Sequence, residues 1–461
     1  MAAVTVKQWQ MVKPAEATPP GHLSLSEWDL SGCLYHFSTL HFYHPPRPTP
    51  AMFDALRDSL GRALVHFYPM AGRLRPIGGG RFEVACNALG AQLVEAESEG
   101  ALSDLGDFSP SPALDQLLPQ VDAADPIHEV PLLLAQLTTF RCGSFCLGVS
   151  LSHIVADGRS AFHFLQEWGR LARGLPIGTP PVFDRRVIME MEPPPAAPPV
   201  RCAPTEVEFY EPPRLLGQTD SLMESKKKTS ITVLRLTQTQ AKKLRVVANQ
   251  GRGHAGAGDP RPYSLYETVT AHVWRCFCRA RRHEHAQPTG LIVTVDFRDR
   301  VQPPLPRGYS GNAVADVFAT ALSGELTGRS LGHAAGRVRE TIDAVDHAFV
   351  WSTTERLRRR PDVADFENRF YGRGSRRFLG NPNQWVISWL RLPLYGMDFG
   401  WGEEFHMCAA GSHEVDGGVM ILPGREGDGS LAVVACLHLV HMESFKRIFY
   451  EDIGSGQNSR M

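Results

Sequence analysis

Net charge is almost absent from this sequence: 48 Lys and Arg stand against 49 Asp and Glu, a formal charge of −1. Without a global field there is nothing to recruit a nucleic-acid backbone or an anionic membrane, so small-molecule partners are expected. A repeated Cys-x-x-Cys spacing is also missing. Nine cysteines, an odd number, are scattered from Cys33 to Cys436, which speaks against a thiolate zinc site and for buried thiols in a reducing compartment. No apolar run reaches the roughly twenty residues of a membrane helix, and the N-terminal stretch MAAVTVKQWQMVKPAEATPP holds no apolar core of signal-peptide length. A soluble cytoplasmic protein without a metal is the expectation. What is present is length: 461 residues, 43% of them hydrophobic, suffice for more than one core.

Along the chain, apolar periodicity marks mixed α/β structure in both halves. Met52, Phe53, Leu56, Leu60 and Leu64 lie on one helical face behind a Thr49 cap and Pro50. VTVKQWQMVKP, RFEVACN, PLLLAQLTTF and SFCLGVSLSH read as strands, and SAFHFLQEWGRLARG as a helix stopped by Gly174. Residues 178–216 are too proline-rich for helix or interior strand and form a crossover between a first domain, 1–177, and a second, 217–461. In the second, Thr237 caps a helix, and Ser264 with Glu267 forms a capping box opening a long one. GLIVTVDFRDR, QWVISWL, GGVMILPG and LAVVACLHL are strands, and ELTGRSLGHAAGRVRETIDAV contains a further helix. The layout repeats without a visible sequence repeat.

His153 ends the strand SFCLGVSLSH. It shares parity with Phe145, Leu147, Val149 and Leu151, so its imidazole stands at the end of an apolar row, at the mouth of a buried space. Asp157 and Gly158 follow in SHIVADG. Taken alone, this is also how a strand capped by a satisfied histidine would read.

SHIVADG and DFGWG, from Asp398 to Gly402, resemble the two signature motifs of the BAHD acyl-CoA-dependent acyltransferases of plants. FYPMAGRL, YSLYETVTAHVWR, VDFRDR and GYSGN, ending at Asn312, follow in that family's order, so the resemblance spans essentially the whole chain. Within the family, LSEWD, AESEGALSDLGDFSPSP, LPRGYSGN and GNPNQWVISWLRLPLYGMDFGWG are most similar to hydroxycinnamoyl transferases that act on spermidine. The resemblance implies two chloramphenicol-acetyltransferase-like domains, each a mixed β-sheet flanked by helices, with a channel between them. It also implies a monomer that binds a hydroxycinnamoyl-CoA and an acceptor as substrates and needs no further cofactor. A kinase reading of DFG fails for want of a Gly-rich loop and a His-Arg-Asp motif.

The chemistry that this implies suits His153 as general base. An acceptor nitrogen or hydroxyl loses a proton as it attacks the thioester, and neutral imidazole can take it near pH 7. With an amine pKa of about 10.4, a given polyamine nitrogen is neutral in about one molecule in a few thousand, a cost of roughly 4 to 5 kcal/mol that an apolar channel lowers. No acyl-enzyme is needed. Ser152 faces away from the His153 row, and Cys142 and Cys146 read as packing residues.

By resemblance, Asp157 turns from the site and pairs with an arginine, Arg298 first and Arg300 as the fallback; orienting the imidazole is the alternative. Gly158 would keep the channel clear, and Asp398, Gly400 and Trp401 are structural. Trp389 would stabilise the oxyanion, with Ser388 a weaker choice and a core role for Trp389 the alternative. Ser264, Tyr266 and Arg300 would contact CoA, or else cap, pack and pair. Shikimate-using relatives have threonine where this chain has Ile387, and they place a basic residue at the position of Gly380; the absence of that basic residue argues against shikimate and quinate and is compatible with a polyamine. Arg373, Arg376 and Arg377 could replace that basic residue, or form a solvated loop. Glu27, Asp29, Glu403 and Glu404 are carboxylates to be placed relative to a cationic acceptor.

Overall fold

The architecture comes from a computed structural model that describes residues 3–30, 34–44, 51–121, 125–194, 226–250, 261–359, 380–410, 415–451 and 453–454. Thr49 and Pro50, much of the proline-rich crossover, and Arg373, Arg376 and Arg377 lie outside the described residues.

The first half builds a mixed six-stranded sheet from β1 (Val4–Val12), β3 (His36–Tyr43), β6 (Ala91–Ser98), β7 (Leu133–Phe140), β8 (Phe145–Ser152) and β13 (His406–Ala410). The order is β1-β6-β7-β8-β3-β13. A three-stranded sheet of β2 (His22–Ser24), β4 (Arg73–Gly78) and β5 (Arg81–Ala85) stands apart from it. The second half builds its own six-stranded sheet from β9 (Thr229–Leu236), β10 (Pro288–Asp296), β11 (Val314–Leu322), β12 (Gln384–Ser388), β14 (Gly418–Pro423) and β15 (Leu431–His438), ordered β11-β10-β12-β14-β15-β9. Both are mixed: β6 runs parallel to β7, and β12 parallel to β10 and β14.

The helices that matter here are α1 (Ala51–His66), α2 (Gly158–Ala172), α3 (Gln238–Asn249), α4 (Leu265–Ala280), α5 (Leu331–Asp343), α6 (His347–Arg358) and α7 (Leu439–Glu451). Capping explains three starts. Asp157 accepts from Ser160 N, while Thr237 and Ser264 close capping boxes with Gln240 and Glu267. The apolar face of α4 packs on one side of the second sheet with α3, α5 and α7, forming one core; α1 and α2 cover the first sheet in another.

Four details differ from the sequence reading. The 217–461 segment is not self-contained, because β13 pairs with β3 at the edge of the first sheet. Met397, Phe399, Met420 and Leu422 also sink into the first half's core. The helix expected within the stretch from Glu325 is α5, but a separate short helix, Ser323–Gly328, precedes it, and another, Arg186–Met189, forms in the crossover. Strand β12 stops at Ser388, so Trp389 stands beyond it. The cause is shared: the seam between the halves buries apolar surface from both, so contacts distant in sequence decide where elements end.

Candidate active site

The motif after β8 lies on this seam. His153 follows the last strand residue; its N–H donates to Tyr35 O at 3.0 Å, and its ring packs against Tyr35 and Phe37. Its carbonyl accepts from Asn312 Nδ2 of the second half at 2.8 Å. Nδ1 is enclosed without a hydrogen-bond partner among the described residues, yet the residue as a whole keeps accessible surface. A ring deep in the protein with one open side is what a side chain lining an internal space shows. Burial holds the imidazole below its ordinary 6.5, opposed by its own backbone, the charge of Asp157 and Asn312. The ring is therefore neutral at pH 7 and able to accept a proton.

Asp157 is buried and makes no hydrogen bond to that ring. Arg298 meets it at 2.8 Å and 2.9 Å, and it accepts from Ser160 N and Ala313 N at 2.9 Å and 3.0 Å. Although burial pushes the Asp157 pKa up, Arg298 and these N–H groups hold it below the usual carboxylate value. One carboxylate thus caps α2, anchors the chain after Asn312 and neutralises Arg298. Arg300, the fallback partner, instead donates to the carbonyls of Ile342 and Val345.

A second buried ion pair stands behind the same loop. Asp29 accepts from Arg185 Nε at 2.8 Å and from the Asn312 N–H at 2.8 Å, and Arg185 Nη1 donates to Ser310 O at 2.5 Å. Tyr309 lies under both Arg185 and Arg298. The sequence reading missed Arg185 and any role for Asn312; only GYSGN marked the place.

Gly158 is the first residue of α2, and its backbone is not in the left-handed region. Its need is proximity: a Cβ there would meet Leu392 at 3.0 Å and Trp389 Nε1 at 3.9 Å. The Trp389 ring packs edge-on to Phe162, and its Nε1 makes no hydrogen bond among the described residues. An unoccupied indole donor thus lies beside the first residue of α2, the helix that follows the His153 turn. Ser388 Oγ accepts a long bond from Leu390 N at 3.4 Å, and Ile387 packs into the first half's core.

DFGWG is placed elsewhere. Asp398 Oδ1 accepts from the N–H groups of Gly400, Trp401 and Gly402 at 2.7, 3.1 and 3.0 Å, and its other oxygen stands 3.6 Å from Arg173. Gly400 and Gly402 have φ of +96° and +91°, where side chains strain the backbone. Trp401 packs on Tyr43 and Phe145, and Phe399 on Trp168. The motif is a strap from the second half seated on the first. Asp398→Ala is expected to lower urea stability by about 1–3 kcal/mol, because three N–H groups lose their acceptor, with the KM for acyl-CoA little changed.

Ser264 is occupied as the cap of α4, and the Tyr266 hydroxyl is buried beside Thr270. Of the acidic residues, Glu27 is buried against Arg81, Asp29 is spent as described, and Glu404 is buried, accepting from Gly396 N and Met397 N. These three are internal; Glu403 is exposed. Gly380 is buried.

The family model described as Transferase family matches residues 2–452. The chain is 41% identical to hydroxycinnamoyl-CoA:piscidic acid hydroxycinnamoyltransferase of Actaea racemosa, over 98% of this chain and 100% of that protein. It is 35% identical to a hydroxycinnamoyl-CoA:5-hydroxyanthranilate N-hydroxycinnamoyltransferase of Avena sativa, over 97% and 99%. Among solved structures, vinorine synthase matches with a TM-score of 0.71 at 22% identity, covering 96% of each chain.

Proposed function

This chain belongs to the BAHD transferase family, and from that premise we propose that it moves a hydroxycinnamoyl group from its CoA thioester to an amine of spermidine or a related polyamine. The activity at the coarser level, acyl-CoA-dependent hydroxycinnamoyl transfer, rests on relatives matched end to end. The observation that carries the chemistry is His153, neutral, held at the seam, with one ring nitrogen enclosed and surface still open.

In the proposed step, the free-base nitrogen attacks the thioester carbonyl while His153 takes its proton. The C–N bond forms, the C–S bond breaks as the tetrahedral intermediate collapses, and the proton passes to the leaving thiolate. Trp389 Nε1 supplies a donor for the oxyanion. Holding both substrates in one channel supplies much of the rate, so no covalent intermediate on the protein is required.

Support for a polyamine over shikimate is the buried Gly380 where a basic residue would pair with an acceptor carboxylate. A second reading, transfer to the hydroxyl of a carboxylic acid, is favoured by the acceptor named for the Actaea relative. The deciding experiment is CoA release from p-coumaroyl-CoA with spermidine, putrescine, agmatine or shikimate in parallel. Release with the polyamines is expected. Release with shikimate alone would overturn the amide-forming reading.

A further inference from the structure

Among the described residues, the fully buried carboxylates are answered by guanidinium groups: Asp29 by Arg185, Asp157 by Arg298, Glu267 by Arg339 and Asp416 by Arg281. Burying a charge without such a partner is costly. Asp316, half-buried on β11, is different. Its Oδ1 accepts from Thr294 Oγ1 at 2.5 Å, that hydroxyl accepts from Trp385 Nε1 at 3.3 Å, and no cation lies within ion-pair distance among the described residues. Burial pushes its pKa up to about 6, against the opposing Thr294 bond.

Strand alternation shows where this carboxylate faces. Leu291, Val293, Ala315, Val317 and Val386 enter the helix-covered core of the second half, so Thr294, Asp316 and Trp385 lie on the opposite face. Further across that face, Ile387, Met420 and Leu422 pack into the first half's core, and Asp296 meets Arg159 at 3.2 Å. The face is therefore the one turned to the seam, and Asp316 stands where the apolar packing stops.

The distance also fits. Asn312, which holds the His153 carbonyl, lies four residues before Asp316, two of them ahead of the start of β11 at Val314, so the two stand at most about 13 Å apart along the chain. The terminal nitrogens of extended spermidine are about 11 Å apart at about 1.25 Å of advance per bond.

We propose that Asp316 is the counter-ion for the acceptor: its open oxygen, with the neighbouring Trp385 ring, binds the distal ammonium of a linear polyamine whose reacting amine lies at His153. This rests on the polyamine reading above. Carboxylate and indole face are both attractive to an alkylammonium, and a ligand cation supplies a partner that none of the described residues gives.

The test is steady-state kinetics of the full chain with p-coumaroyl-CoA, comparing wild type with Asp316→Asn and Asp316→Ser, with spermidine and n-butylamine as acceptors. The asparagine is isosteric and keeps an acceptor for Thr294, and an unchanged melting temperature checks the fold. The expected result is a KM for spermidine raised about 10- to 100-fold, the range of a lost hydrogen bond to a charged group. The KM values for p-coumaroyl-CoA and for butylamine, which has no distal ammonium, should not move. An unchanged spermidine KM in both variants overturns the assignment of Asp316 while leaving the polyamine reading intact. A raised KM for p-coumaroyl-CoA alone overturns it in favour of a CoA contact. Wild type that acylates only alcohols overturns the polyamine reading itself, and this assignment with it.

Discussion

Replacing His153 by alanine is expected to lower the rate of CoA release by about 10²- to 10⁴-fold, the range that a positioned general base supplies. The KM for p-coumaroyl-CoA should change little, because the proposed general base would contribute in the transition state rather than to donor binding. A rate within a few fold of wild type would remove His153 from the chemistry. The pH profile gives a second check. Because burial lowers the His153 pKa below 6.5, the ring stays neutral down to a pH beneath that value. Once kcat/KM is divided by the free-base fraction of the acceptor, it should be flat through neutrality and fall only below 6.5. The same shift acts on stability. The unfolded chain binds the proton more readily than the folded one, so this contribution is full above 6.5 and declines as pH falls.

Arg298→Ala is expected to be strongly destabilising, costing about 3–5 kcal/mol by leaving Asp157 buried and unpaired. Urea unfolding at pH 7 reads it directly. The lost contacts span both halves: Arg298 belongs to the segment after β10, whereas Asp157 and Ser160 belong to the start of α2. Activity should fall as well, since the turn carrying His153 is built on the same carboxylate. In wild type the lowered Asp157 pKa contributes stability above the unfolded carboxylate value of about 3.9 and loses it as pH falls through the folded one. The gap between wild type and Arg298→Ala should therefore narrow on acidification. A difference that stays constant with pH, or one below about 1 kcal/mol, which is the size of an exposed pair, would show that Asp157 does not depend on Arg298.

Much of this protein was legible locally. The caps at Ser264 and Thr237, the apolar face of α1, the end of β8 at His153 and the positive-φ glycines of DFGWG follow from interactions within a few residues, and a linear sequence records those. Motif order also led to the family and to Arg298 as the partner considered first for Asp157.

What the sequence could not show is what meets across the seam. The sequence left the positions of Glu27, Asp29 and Glu404 open, and the fold spends all three internally. Nothing in the sequence marks Asp316, which stands on the face of β11 turned to the other half with no cation within ion-pair distance among the described residues. The tertiary structure also decided that β13 crosses to the first sheet, and that Asn312, far along the chain, holds the His153 carbonyl. The physical reason is common to these cases. A side chain's charge and hydrogen-bonding capacity are properties of its type, but its burial and partners arise only when two halves remote in sequence close on each other. The sequence by itself determined most of the elements, the His153 turn and the family; the packed seam decided which polar groups are paired internally and which keep an open side.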